Sequence, residues 1–217
     1  MTPTGPIKER DLAERLQSAL LPSEQPHSPA VLSATDRILD AAARRFSEVG
    51  VARTTMSSIA AEAGLSREWL YRHFSNRDAV VAGVSQRELR RFIDGLAVRA
   101  SDHTDVVDAL TDAFVYTVEF LRDHRMLTGI IDRDIALSGP DISNHASGLL
   151  AVSVRTFAGY LVDNGGYDAP AATVIAETLS RLVASTVLAP IAELDLHDPD
   201  TLRHYAQRVV PAIAHGC

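Results

Sequence analysis

The chain holds a single cysteine, Cys217, at its last position. No disulfide can close within it, and no set of thiols is available for a zinc site. Long apolar runs are also missing. VVAGV at 80–84 and LVASTVLAPIA at 182–192 are interrupted by small, polar or proline residues, well short of the ~18 needed to cross a bilayer. No charged-then-apolar leader opens the chain. These absences lead to the expectation of a cytoplasmic protein with no membrane partner.

Motifs for catalysis are absent as well. The eight histidines are scattered, with no HExxH and no i,i+4 pair, and there is neither a glycine-rich phosphate loop nor a G-x-S-x-G elbow. His103, His124, Asp132 and Asp134 carry no metal-ligand spacing. Neither an enzyme nor a metal or other cofactor is expected. No alternation of period two marks a strand and no segment repeats, so the expected fold class is all-α.

Lysine is nearly absent: Lys8 is the only one, and arginine supplies the rest of the positive charge. The 217 residues carry a net charge of −7, unevenly spread. Residues 30–100 hold 11 basic and 8 acidic groups, whereas 101–217 hold 7 and 16. A basic segment attached to an acidic remainder would orient the molecule on a polyanion, although a surplus of this size also arises by ordinary scatter.

That basic segment contains TTMSSIAAEAGLSREWLYRHF, residues 54–74, which reads as two short helices and a tight turn. Thr54 or Thr55 supplies a hydroxyl cap, and Met56, Ile59, Ala60 and Ala63 recur at helical spacing. Gly64 suits the left-handed close of a helix, Leu65 plugs the corner, and Ser66 caps again. Leu65, Leu70 and Phe74 mark the buried side of the second helix. The alanines at 60, 61 and 63 let the two helices approach at the steep angle of a helix-turn-helix, whose second helix fits the DNA major groove.

Upstream, Ile7, Leu12, Leu16, Ala19 and Leu20 make an amphipathic stripe over 7–21, followed by the proline-rich linker PSEQPHSP. This extension, 1–29, is either an accessory helix or an arm toward DNA or a partner subunit. A helix from Ser33 or Thr35 to Val49 buries Ile38, Leu39, Ala42 and Phe46 and ends at Gly50. Ser75 or Asn76 then caps a long helix to about Ala100, with Val80, Val81, Val84, Leu89, Phe92, Ile93 and Leu96 inward. At ~1.5 Å per residue it spans roughly 35 Å, enough to join a DNA-binding head to a body. Further helices are expected over 104–123, 124–137, 141–164, 170–189 and 199–214, about nine in the body in all.

The run RILDAAARRFSEVGVARTTMSSIAAEAGLSREWLYRHFSNRDAVV resembles the N-terminal domain of the tetracycline-repressor (TetR) family of transcriptional regulators. The likeness covers about residues 35–85: the alanine-rich helix ending in Gly50, T-T-M-x-x-I-A, A-G-L-S, and L-Y-x-H-F before a basic-acidic pair. It departs at Glu68-Trp69, where the family more often has a small residue or proline and then a small or polar one. The resemblance implies a DNA-binding domain over 30–80 and a regulatory and dimerisation domain over 81–217. It also implies a homodimer on a palindromic double-stranded operator, most often a repressor released by a small-molecule effector. A ligand-independent activator or architectural factor, or a helical binding protein or enzyme using the motif as scaffold, are the alternatives.

By the same resemblance, Thr54, Thr55, Ser57, Tyr71, His73 and Arg77 match positions that meet phosphates. Arg67, Glu68, Trp69 and Arg72, which follow the Ser66 cap, fall on or near the face that meets base edges. Hydroxyls and helix N-termini suit backbone oxygens, and long side chains in the groove suit sequence reading. Glu68 either accepts from a cytosine amino group or caps its own helix. Trp69 either meets a thymine methyl or sugar, or folds onto Leu65. The implied effector pocket draws on Phe92, Phe114, Tyr116, Phe120, Met126, Ile130, Asp134, His145, Leu149, Phe157 and Tyr160, each of which also suits plain core. The implied dimer face combines Ala172, Ile175, Ala176, Leu179, Leu182, Val183 and Thr186 with Leu202, Tyr205, Val209 and Ile213.

Overall fold

A computed structural model describes residues 29–124, 149–188 and 193–216, with Ser18 besides. These residues form eight helices: α1 (Pro29–Val49), α2 (Met56–Ala63), α3 (Arg67–His73), α4 (Arg77–Ser101), α5 (Val106–Asp123), α6 (Leu149–Gly165), α7 (Ala169–Leu188) and α8 (Pro199–Gly216). The fold is all-α, and no strand occurs among the described residues. Apart from Ser18, which is helical, and His124, the helices expected over 7–21 and 124–137 lie outside them. Helix α1 starts at Pro29, at the end of the stretch read as an extended linker. Proline lacks the N–H that a first helical turn leaves unused, so it opens a helix as readily as it ends a linker.

By contact density the described residues divide into two compact units, with α4 passing from one to the other between Arg90 and Arg91. In the first, residues 29–90, a single apolar cluster joins α1, α2, α3 and the start of α4. Ile38, Leu39, Ala42, Phe46, Met56, Ile59, Ala60, Ala63, Leu70, Val80 and Val84 are buried, with Leu65, Phe74 and Val81 packed against them. Ala61, expected at the helix crossing, is exposed instead.

The second unit comprises 91–124, 149–188 and 193–216. Helices α6 and α7 form an antiparallel pair, and α5 packs against α7 and α8. The second half of α4 meets α5 through a notch at Gly95, where a side chain would strike the ring and hydroxyl of Tyr116. Although the sequence suggested no bilayer-length segment, α7 is long and apolar enough to cross a membrane by length and composition alone. Its Ala172, Ile175, Ala176 and Leu179 side is buried in the helical body.

Candidate nucleic-acid interface

Short helices need caps, because four N–H groups at each N-terminus lack internal partners. At α2, Thr55 Oγ1 accepts from Ser58 N–H at 3.1 Å, and Ser58 Oγ accepts from Thr55 N–H at 3.1 Å, a reciprocal capping box. At its other end Gly64 is left-handed (φ 63°), and Leu65 N–H donates to Ala60 O at 2.9 Å. Arg37 of α1 reaches across to donate to Ala63 O at 2.8 Å, holding the turn against α1. Ser66 Oγ accepts from Trp69 N–H at 3.1 Å to open α3, and Asn76 Oδ1 accepts from Ala79 N–H at 2.8 Å to open α4.

Leu70 is the buried residue of α3, and the rest of its surface is given to long polar and aromatic side chains. Arg67, Glu68, Trp69, Tyr71 and Arg72 are exposed, with Trp69 at 43% and Tyr71 at 46%. Trp69 stacks on His73, with ring centroids 4.9 Å apart and planes 16° from parallel. The Glu68 carboxylate pairs with Arg72 at 3.1 Å, one turn along. Arg67 makes no hydrogen bond or ion pair among the described residues, leaving its five donors for another molecule.

Beside α3, Ser57 and Thr55 are exposed at the start of α2. Arg77 stands at the start of α4, donating to Ala52 O at 3.4 Å and lying 3.9 Å from Asp78. One expected phosphate contact is corrected: Thr54 is 1% exposed, and its hydroxyl donates to Gly50 O at 2.9 Å. It closes the turn between α1 and α2 instead of facing solvent. Arg53, not singled out in the sequence, is exposed on that same turn.

The residues proposed to line an effector pocket separate into three groups. Phe92, Tyr116 and Phe120 form one half-buried ring cluster, Phe92 and Tyr116 stacked at 5.7 Å and Phe120 tilted against them at 5.2 and 5.6 Å. His124 extends it from Phe120 at 3.9 Å, and the Arg99 guanidinium lies 3.8 Å above the Tyr116 ring. Burial pushes the Tyr116 phenol up, Arg99 opposing and Asp94 adding to the shift. Phe114 is buried beside Tyr205, whose phenol burial also raises, and Phe157 lies beside buried Tyr160. Met126, Ile130, Asp134, His145 and the Leu149 side chain lie outside the described residues. Arg99 does not stand out in the sequence, and His124 enters there only as a metal candidate without ligand spacing, although the spacing of 116, 120 and 124 on one helix face holds the signal for its place here.

The residues implied for a dimer face lie at different depths in the single chain. Ile175, Leu179 and Leu202 are buried within their own subunit, and Leu182, Val183, Tyr205 and Val209 are half-buried. The small residues of α7 serve packing with α5, α6 and α8. Facing out instead are Thr173, Val174, Glu177, Thr178, Arg181 and Ser185, with Val174 52% exposed and Glu177 paired to Arg181 at 2.6 Å.

Residues 38–84 match the family described as bacterial regulatory proteins, tetR family. An uncharacterized HTH-type transcriptional regulator of Mycobacterium tuberculosis is 29% identical over 180 residues, covering 83% of this chain and 85% of that protein. The structure of the fatty acid degradation regulator FadR from Bacillus halodurans aligns with a TM-score of 0.56 at 20% identity, over 88% of this chain and 98% of that one. A complex of SmeT with triclosan aligns at 0.51 and 24% identity, over 81% and 90%.

Proposed function

We infer, from a chain that belongs through its helix-turn-helix to the tetR family of bacterial regulatory proteins, that it is a cytoplasmic repressor binding a palindromic operator as a homodimer. Residues 30–80 are its DNA-binding domain and 81–217 its regulatory and dimerisation domain. The observation that carries this reading is α3, a capped helix with one buried residue and Arg67, Trp69, Tyr71 and Arg72 exposed. A helix so arranged places Arg67, Trp69 and Arg72 against base edges in the major groove, while Thr55, Ser57, Tyr71 and Arg77 meet flanking phosphates.

Control follows from linkage. A small molecule that binds the helical body more tightly when the two reading helices no longer sit ~34–36 Å apart lowers operator affinity by the same factor that operator lowers its own. The SmeT structure, a complex with triclosan, supports an effector-responsive reading. The mutual contact of the Phe92, Tyr116 and Phe120 rings favours a second reading, a regulator whose body is filled by its own side chains.

Selection of full-length protein against a randomised duplex pool at moderate salt tests the DNA reading, with enrichment of one palindromic site expected. A pool that stays random would refute it. Titrating small molecules into the selected complex separates the two forms of control, since only the first releases DNA.

A further inference from the structure

Trp69 and His73 lie one helical turn apart on the exposed side of α3, stacked at 4.9 Å. His73 Nδ1 is 2.9 Å from Trp69 O. A carbonyl oxygen only accepts, so Nδ1 is the donor of this bond. One ring face and one ring nitrogen of His73 are therefore committed to Trp69.

Among the described residues the indole stacks on no other ring. Trp69 is 43% exposed and stands outside the apolar cluster that fixes α3 through Leu70. The ring contact that the structure gives the indole is the imidazole stacked on it.

We propose that His73 is a positioning residue for base reading: it holds the Trp69 indole in one orientation, so that its open surface meets an apolar base edge, the thymine methyl, in the major groove. The inference rests on the DNA-reading conclusion above and adds a division of labour within it. Fixing a bulky side chain before association removes an ordering cost worth roughly two- to tenfold in affinity per side chain. That gain appears only at the base pair the indole touches.

The test uses full-length protein and the duplex enriched by the wild type from a randomised pool, together with all its single-base-pair variants. His73→Ala is expected to lose about two- to tenfold of discrimination at the same base pair where Trp69→Ala loses it. His73→Phe, which stacks but cannot donate, restores it. The slope of affinity against salt stays the same in all three. Trp69 is the only tryptophan, so its emission in the free protein reports the stack: it changes in His73→Ala and returns in His73→Phe. The proposal is overturned if both His73 variants weaken every duplex alike and lower the salt slope by about one, the mark of a lost phosphate contact. Because His73→Phe keeps an aromatic ring, it answers the question even if His73→Ala folds poorly. A wild type that enriches no sequence removes the DNA reading itself, an outcome distinct from a profile that stays sharp when His73 is changed.

Discussion

Glu68 and Arg72 are joined at 3.1 Å across one turn of α3, so the reading helix carries its own counter-charge. Both side chains are largely exposed, and such a pair contributes little to stability. Its consequence lies at the polyanion, where the carboxylate offsets one cation. Glu68→Gln is expected to raise affinity for unselected duplex and to steepen the log–log salt dependence by about one. Salt titrations of both proteins check this. Loss of site preference with an unchanged slope would instead make Glu68 a reader of cytosine.

Thr54 and Thr55 are adjacent in sequence and opposite in role. Thr54→Val keeps the shape of the buried side chain and removes its bond to Gly50 O, costing about 1 kcal/mol of stability with no change in salt slope. Thr55→Ala removes the cap of α2, again about 1 kcal/mol. Urea denaturation supplies the stabilities. A reduced salt slope in Thr54→Val would return its hydroxyl to the phosphates.

On α7, Val174 and Ile175 are neighbours with opposite burial, 52% and 0% exposed. Val174→Arg is expected to shift sedimentation from dimer to monomer while leaving the subunit folded. Ile175→Ala opens a cavity in the subunit core and costs about 2–5 kcal/mol. A dimer unaffected by Val174→Arg would place the interface elsewhere.

Helix α8 is capped by Asp198, whose Oδ2 accepts from the Thr201 hydroxyl at 2.7 Å and from Thr201 N–H at 2.8 Å. These bonds, the hydroxyl first, hold the carboxyl below its usual range. A depressed folded-state value means stabilisation that is present above the unfolded carboxylate pKa of about 4 and is lost as pH falls through the folded value. Asp198→Asn is expected to flatten the acid limb of stability against pH, as measured by urea midpoints from neutral to acid. An unchanged limb contradicts the assignment.

The helix-turn-helix was legible because its signals are local. Ser66 and Gly64 act on residues within one turn, and the periodic Met56, Ile59, Ala60 and Ala63 have one core to face. Burial on α7 was not legible in the same way. Ile175 and Leu179 are as apolar as an interface requires, and only packing against α5, α6 and α8 shows that this side is used within the subunit. Thr54 illustrates the same limit at smaller scale, since two consecutive threonines both suit a cap and only the fold chooses Thr55. The Glu68–Arg72 pair obeys the i,i+4 rule, yet an arginine bound for base edges and one paired to its own helix read identically in sequence.

The most direct measurement is the affinity of the Arg67→Ala protein for the selected duplex and for a scrambled duplex of the same length and composition. Arg67 is exposed on α3 and uncommitted among the described residues. The account predicts a loss of about 1–3 kcal/mol on the selected duplex and a much smaller one on the scrambled duplex. Equal losses on both, or none on either, would contradict the claim that α3 reads DNA sequence.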